Sequence, residues 1–138
     1  MLFRQCAGGI VFSDDKVLIL QNEKREWVFP KGVIRNGSFA DEVAIERVHA
    51  EAGVKADIIA PVGETSYEFF SISRQQPVCN QIQWFLIQAP ETNCNVNTEQ
   101  GFLSGGFFQI EEALQRITYS QDKSLLNIAV KKMQALAV

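Results

Sequence analysis

The first third of the chain is written in short apolar runs punctuated by polar turns. Gly9-Ile10-Val11-Phe12 and Lys16-Val17-Leu18-Ile19-Leu20 are rich in β-branched and large apolar residues. Ser13-Asp14-Asp15 between them has turn chemistry, so residues 5–20 read as a hairpin. A polar loop over residues 21–26 leads to Trp27-Val28-Phe29-Pro30-Lys31-Gly32, a short strand stopped by proline and glycine. Asn36-Gly37 marks a second turn.

The period then changes. Ala40, Val43, Ala44 and Val48 recur at helical spacing, which predicts a helix over residues 38–52. Ser38 is placed as its N-cap, Asp41 as a weak capping-box partner, and Gly53 as the terminating glycine. Residues 57–63, 66–73 and 81–89 are strand candidates, and 93–101 is polar and loop-like. Residues 106–110 read as a last short strand and 111–117 as a short helix. Residues 121–137 carry Leu125, Ile128, Ala129, Lys132 and Leu136 at helical spacing, which predicts a closing amphipathic helix. Strands mixed with three helices indicate an α/β or α+β domain, with helices packed on the faces of a mixed sheet.

Composition narrows this picture. A chain of 138 residues fits one domain, residues 1–138, and 46% hydrophobic content supplies an ordinary core. A net charge of −3 argues against a nucleic-acid scaffold, which needs a basic excess. Cys6, Cys79 and Cys94 are odd in number and lack C-x-x-C spacing, so they read as reduced thiols of a cytoplasmic protein rather than disulfide or zinc ligands. No stretch approaches the ~20 apolar residues of a membrane span. The N-terminal residues run straight into a strand-like segment, which reads as lacking a signal peptide.

Successive helical residues rotate by about 100°. Glu51 lies seven residues after Ala44 and eleven after Ala40, so it falls on the inward stripe of the predicted helix. Arg47 lies four after Val43 and faces largely inward too. An inward carboxylate needs a partner. Geometry alone leaves two readings open: an Arg47–Glu51 ion pair at i,i+4, or a site. Lys31-Gly32 opens a glycine-containing loop toward the helix, where backbone N–H groups and a lysine can hold phosphate oxygens.

The segment from Gly32 to Val54 matches, without a gap, the frame G-x5-E-x7-R-E-U-x-E-E-x-G-U, where U is a bulky apolar residue. Gly32, Val48, Glu51, Gly53 and Val54 occupy matching positions. This frame resembles the signature of the Nudix hydrolases. Trp27-Val28-Phe29-Pro30-Lys31-Gly32 is similar to the entry of their diadenosine polyphosphate and diphosphoinositol polyphosphate branch. Ala7-Gly8-Gly9-Ile10-Val11-Phe12 resembles their first strand, and Ile110-Glu111-Glu112-Ala113-Leu114 and Thr118-Tyr119-Ser120 through Leu126 their closing helices. The resemblance implies an α/β/α sandwich with a mixed β-sheet. It also implies hydrolysis of the pyrophosphate bond of a nucleoside diphosphate linked to another moiety, with Mg2+ or Mn2+ as cofactor.

The frame is degenerate at its acids. Ser38 replaces the first glutamate, the Arg-Glu pair is inverted as Glu46-Arg47, and Ala50 replaces the first of the paired glutamates. The resemblance places magnesium on the acids at positions 47, 50 and 51, of which Glu51 alone remains. Glu99 looks like an acidic loop residue that serves as an extra metal ligand or base in some relatives. Glu51 and Glu99 are therefore the expected catalytic and metal residues, with weak metal affinity. Lys31, Gly32 and Arg47 are the expected ligand-binding residues. The sequence supports three readings: a weakened hydrolase, a domain that binds a nucleotide or phosphorylated small molecule without turnover, and an interaction module expected to form a homodimer. Glu42 and Glu46 are turned too far round the helix to replace the missing acids. His49 is expected on the outer helix face, Trp84 and Phe85 in core or cleft wall, and Tyr119 near the cleft. Tyr67, Phe69 and Phe70 read first as core packing and second as a stacking platform for a base.

Overall fold

A computed structural model describes residues 1–136. Strand β1, Leu2–Ser13, is buried on both faces from Cys6 onward. A strand covered on both sides reads as a near-continuous apolar run, which is why Ala7 to Phe12 lacks alternation. Asp14 takes a positive φ in the turn to β2, Lys16–Asn22. The expected hairpin forms at this turn, but only Phe12 and Ser13 pair with β2. The main partner of β1 is β6, Gln76–Gln88, which runs parallel to it from Leu2↔Val78 to Phe12↔Gln88.

The single strand predicted across Trp27 to Gly32 is two. β3, Trp27–Val28, pairs with β2, whereas β4, Lys31–Val33, crosses over to pair with β1 at Cys6–Gly8. Phe29 and Pro30 lie between them, and proline cannot donate to a ladder. Two expected strands, 57–63 and 66–73, merge into one: β5, Asp57–Ser71, is continuous and pairs with β6 throughout. Register shifts between Ile58 and Ala60 and between Pro61 and Gly63 absorb the irregular stretch. The seven strands form one mixed sheet of order β3-β2-β1-β6-β5, and β7, Phe102–Gln109, lies on β2.

Helix α1, Ala40–Ala52, starts later than expected. Phe39 has the extended N-cap conformation and no side chain caps the helix; Ser38 instead donates its N–H to Arg35 in the preceding turn. Asp41 receives the amide of its neighbour Glu42, so the capping box does not form. Helices α2, Ile110–Arg116, and α3, Ser120–Leu136, close the chain near the expected places; Ala137, assigned to the last helix, lies outside the described residues.

The sheet is covered on both faces, giving the α/β/α sandwich. Val43, Ala44, Val48 and Ala52 of α1 pack on Ala7, Val11, Leu18 and Ile87. On the other face Ala113 and Ile117, with Leu125, Leu126 and Ala129 of α3, pack on Ile10, Val17, Ile82 and Leu86. Among the described residues, no helix is long and apolar enough to cross a membrane.

Candidate functional site

The C-terminal end of α1 is held by the loop that follows β6. Gly53 adopts the left-handed conformation that ends a helix without a Cβ clash, and its N–H donates to His49 at 2.8 Å. The orphan carbonyls of Ala50, Glu51 and Ala52 are taken by Asn97 Nδ2 at 3.0 Å, Asn97 N at 2.9 Å and Asn95 N at 2.7 Å. Asn97 also accepts from the Glu99 amide, capping a short 3-10 helix, Thr98–Gln100. This docking brings the 3-10 helix alongside α1.

Arg47 joins the two. Its Nε lies 2.9 Å from Glu51 Oε2, and its Nη2 donates to Gln100 Oε1 at 2.8 Å. Glu51 is 3% exposed, on the same stripe as Ala44 and Val48. Burial pushes its carboxyl up to about 7; the Arg47 guanidinium, then Lys31, restrain the rise. The stem of Arg47 lies across Gly32: a Cβ there would meet Arg47 Cδ at 2.6 Å and Cγ at 2.8 Å. Gly32 lies in β4, paired with Ala7, where the Arg47 stem leaves no room for a side chain. Gly32→Ala is expected to push Arg47 aside and cost roughly 1–2 kcal/mol, as overpacking does. An unchanged urea midpoint would refute this contact.

Beside this junction opens a cleft of about 730 Å³. Lys31, Gln100, Gly101, Tyr119 and Asp122 are among the residues that line it. Arg47 and Glu51 lie behind Gln100 rather than in the lining. Tyr67 and Phe69 line the wall at 40% and 38% exposure, which corrects the expectation that they pack in the core. Their rings stack at 5.9 Å, with Lys31 Nζ over Tyr67 at 5.9 Å and the Arg4 guanidinium over Phe69 at 5.6 Å. Phe70 is 59% exposed, so core packing fails for it as well. Buried Asn80 fixes the wall by accepting from Arg4 Nε and donating to the Tyr67 hydroxyl, both at 2.8 Å. Trp84 is a core residue that reaches the cleft floor and donates to Thr65 at 2.7 Å. Tyr119 donates to the Glu26 carboxylate. That bond holds Glu26 below the usual carboxylate range and pushes the phenol up to about 12.

The acids present do not fit a preformed divalent-metal site. Glu51 is committed to Arg47, and no group of three His, Cys, Asp or Glu side chains converges among the described residues. Glu99 is exposed on the 3-10 helix, and its neighbour Gln100 is the side chain that reaches Arg47. Glu42 and Glu46 are exposed and border a shallow depression with Ile45 and Ile58, turned away from the Arg47 junction. His49 is exposed on α1. Gln100 and Asn97 were not visible as site residues in the sequence, although Asn97-Thr98-Glu99 has an N-cap signal.

A sandwich of this topology, with a helix carrying Glu51 behind a strand-borne Lys31-Gly32, defines a class. The chain belongs to the NUDIX domain family, whose model matches residues 2–127. It is similar in fold to a C. elegans Ap4A hydrolase solved as a binary complex, with 16% identity, a TM-score of 0.72, and coverage of 96% of this chain and 98% of that one. The E. coli dihydroneopterin triphosphate pyrophosphohydrolase is similar at 17% identity and TM-score 0.72, covering 91% of this chain and 95% of that one. The mutator MutT protein of Bacillus halodurans reaches 23% identity and TM-score 0.65, covering 90% and 80%.

Proposed function

We propose that this chain takes a nucleoside diphosphate linked to another moiety into the cleft, and hydrolyses its pyrophosphate bond slowly. The reading is supported by one observation above the others: the guanidinium of Arg47 is paired to Glu51 and bonded to Gln100, at a position where the family frame carries an acid. Lys31, in the cleft, supplies charge for a phosphate. Glu51 and Glu99 are the acids left for a divalent ion, and Mg2+ or Mn2+ would act there only after Glu51 leaves Arg47. A volume of about 730 Å³ suits a ligand of nucleotide size.

The same ion pair favours a second reading, binding without turnover. There Arg47 would leave Gln100 and contact phosphate itself, replacing metal charge with a guanidinium. Thermal shift with a panel of dinucleoside polyphosphates and sugar nucleotides, with and without Mg2+, is the test, run beside phosphate release. A ligand at a hundred times its Kd should raise Tm by roughly 10 °C with or without the metal. Slow Mg2+-dependent release supports the first reading, and none the second. No shift with any nucleotide would overturn both and leave the interaction-module reading; fast release would overturn the slow-turnover claim.

A further inference from the structure

The sheet is longer than the helix that covers it. Ala7 and Val11 of β1 pack under α1, so by strand alternation Phe3 and Gln5 face the same side. Parallel register sets Phe3 beside Cys79 of β6, and antiparallel register sets Pro77 of β6 beside Phe70 of β5. Phe3, Cys79, Pro77 and Phe70 therefore share one face. Cys79 is buried, yet among the described residues it belongs to neither of the two cores. Phe3 and Phe70 are each 59% exposed, and Met1 and Ile72 add 56% and 80% exposed side chains near the hairpin tip. The Gln5 amide donates to Gln81 beside them, so the polar neighbours partly satisfy each other. Glu68 stands in the row of Phe3 and Cys79, on the edge strand β5, where it also reaches the rim of the cleft.

An apolar patch of a few hundred Å² with a polar rim marks an interaction site. Its charges choose the occupant. Glu68 and Arg74 are both exposed, and neither forms an ion pair among the described residues. An anionic lipid surface is repelled by Glu68, and a peptide of one sign matches only one of the two. A second copy of the chain matches both. Phe70 lies between Glu68 and Arg74 in the chain, so a two-fold axis near Phe70 sets each Glu68 against the other copy's Arg74. We propose that two copies of this chain pair face to face through Phe3 and Phe70. Sheet faces pack about 10 Å apart with side chains interdigitated, and Phe3 and Phe70 are placed for that. Covering the patch on both copies buries on the order of 1,000 Å², the low end for a specific interface. The dimer is therefore weak, and it stands whether or not the cleft binds a nucleotide.

Sedimentation velocity of the full chain over a range of concentrations tests it. The wild-type protein should show a monomer–dimer equilibrium with a Kd on the order of 10–100 µM. Phe70→Glu should be monomeric throughout and, because the side chain is exposed, should keep its Tm. Should that variant lose stability, Phe3→Ser is read in its place. Glu68→Arg and Arg74→Glu should each weaken the dimer about tenfold, and the two together should restore it. A wild-type protein that stays monomeric at several hundred micromolar, roughly ten times the expected Kd, overturns the proposal. So does a dimer that Phe70→Glu leaves intact, or a double exchange that fails to restore pairing. Binding of the monomer to phosphatidylserine vesicles, lost in Phe70→Glu, would assign the patch to lipid and overturn it as well.

Discussion

Arg47→Glu combined with Ala50→Glu is expected to raise magnesium-dependent hydrolysis at least about thirtyfold. A monovalent cation ~5 Å from a divalent one costs roughly 6–7 kcal/mol at an effective dielectric of 20. Screening and side-chain rotation reduce this, but a remaining third, about 2 kcal/mol, still corresponds to about thirtyfold in rate. The double change removes that repulsion, frees Glu51 from its ion pair and adds two oxygen donors of the kind magnesium prefers. Ala50→Glu alone should gain much less, because the guanidinium stays. A second readout does not depend on turnover: Mg2+ should raise the Tm of the double variant and leave that of the wild-type protein nearly unmoved. If the unmodified chain already turns over as fast as the variant, or magnesium stabilises both equally, Arg47 does not oppose the metal.

Stability should fall as pH rises from about 4.5 to about 7, by an amount on the order of 3 kcal/mol traceable to Glu51. Its folded carboxyl titrates near 7 because burial disfavours the charged form, while the unfolded chain titrates near 4.5. Between those values the folded state holds the proton that the unfolded state has released. The contribution is therefore complete below about 4.5 and lost as pH passes through 7. Glu51→Gln keeps the shape and an acceptor for Arg47 but cannot titrate, so its urea-derived stability should be nearly flat across this window. Parallel pH profiles for the two proteins would show that Glu51 stays ionised throughout.

Helical periodicity made the centre of the site legible. A rotation of 100° per residue places Glu51 beneath Ala44 and Arg47 beside it, and the fold keeps both there. What periodicity does not carry is which surface covers a given face. Tyr67 and Phe69 alternate as core residues do, yet their side of β5 forms the wall of an open cleft. The extent of β5 was hidden because Pro61 and Gly63 resemble a strand end, and bulges absorb them only once β6 supplies a continuous partner. Ser38 has the chemistry of a cap, but the turn takes its amide two residues before the helix begins. Gln100 was invisible because its role depends on a tertiary docking, Asn97 onto the end of α1, that no local pattern encodes.

The parallel register of β1 on β6 sets an order of events during synthesis. Each residue from Leu2 to Phe12 pairs with one 76 positions later, as Arg4 does with Asn80. Loop closure over that separation costs entropy before any contact repays it, so assembly is late and slow by topology. Until residues 76–88 leave the ribosome, the apolar run from Cys6 to Phe12 waits without the neighbour that will bury it. A nascent chain halted before that point carries an apolar strand without its pairing partner, the kind of exposed edge that favours aggregation.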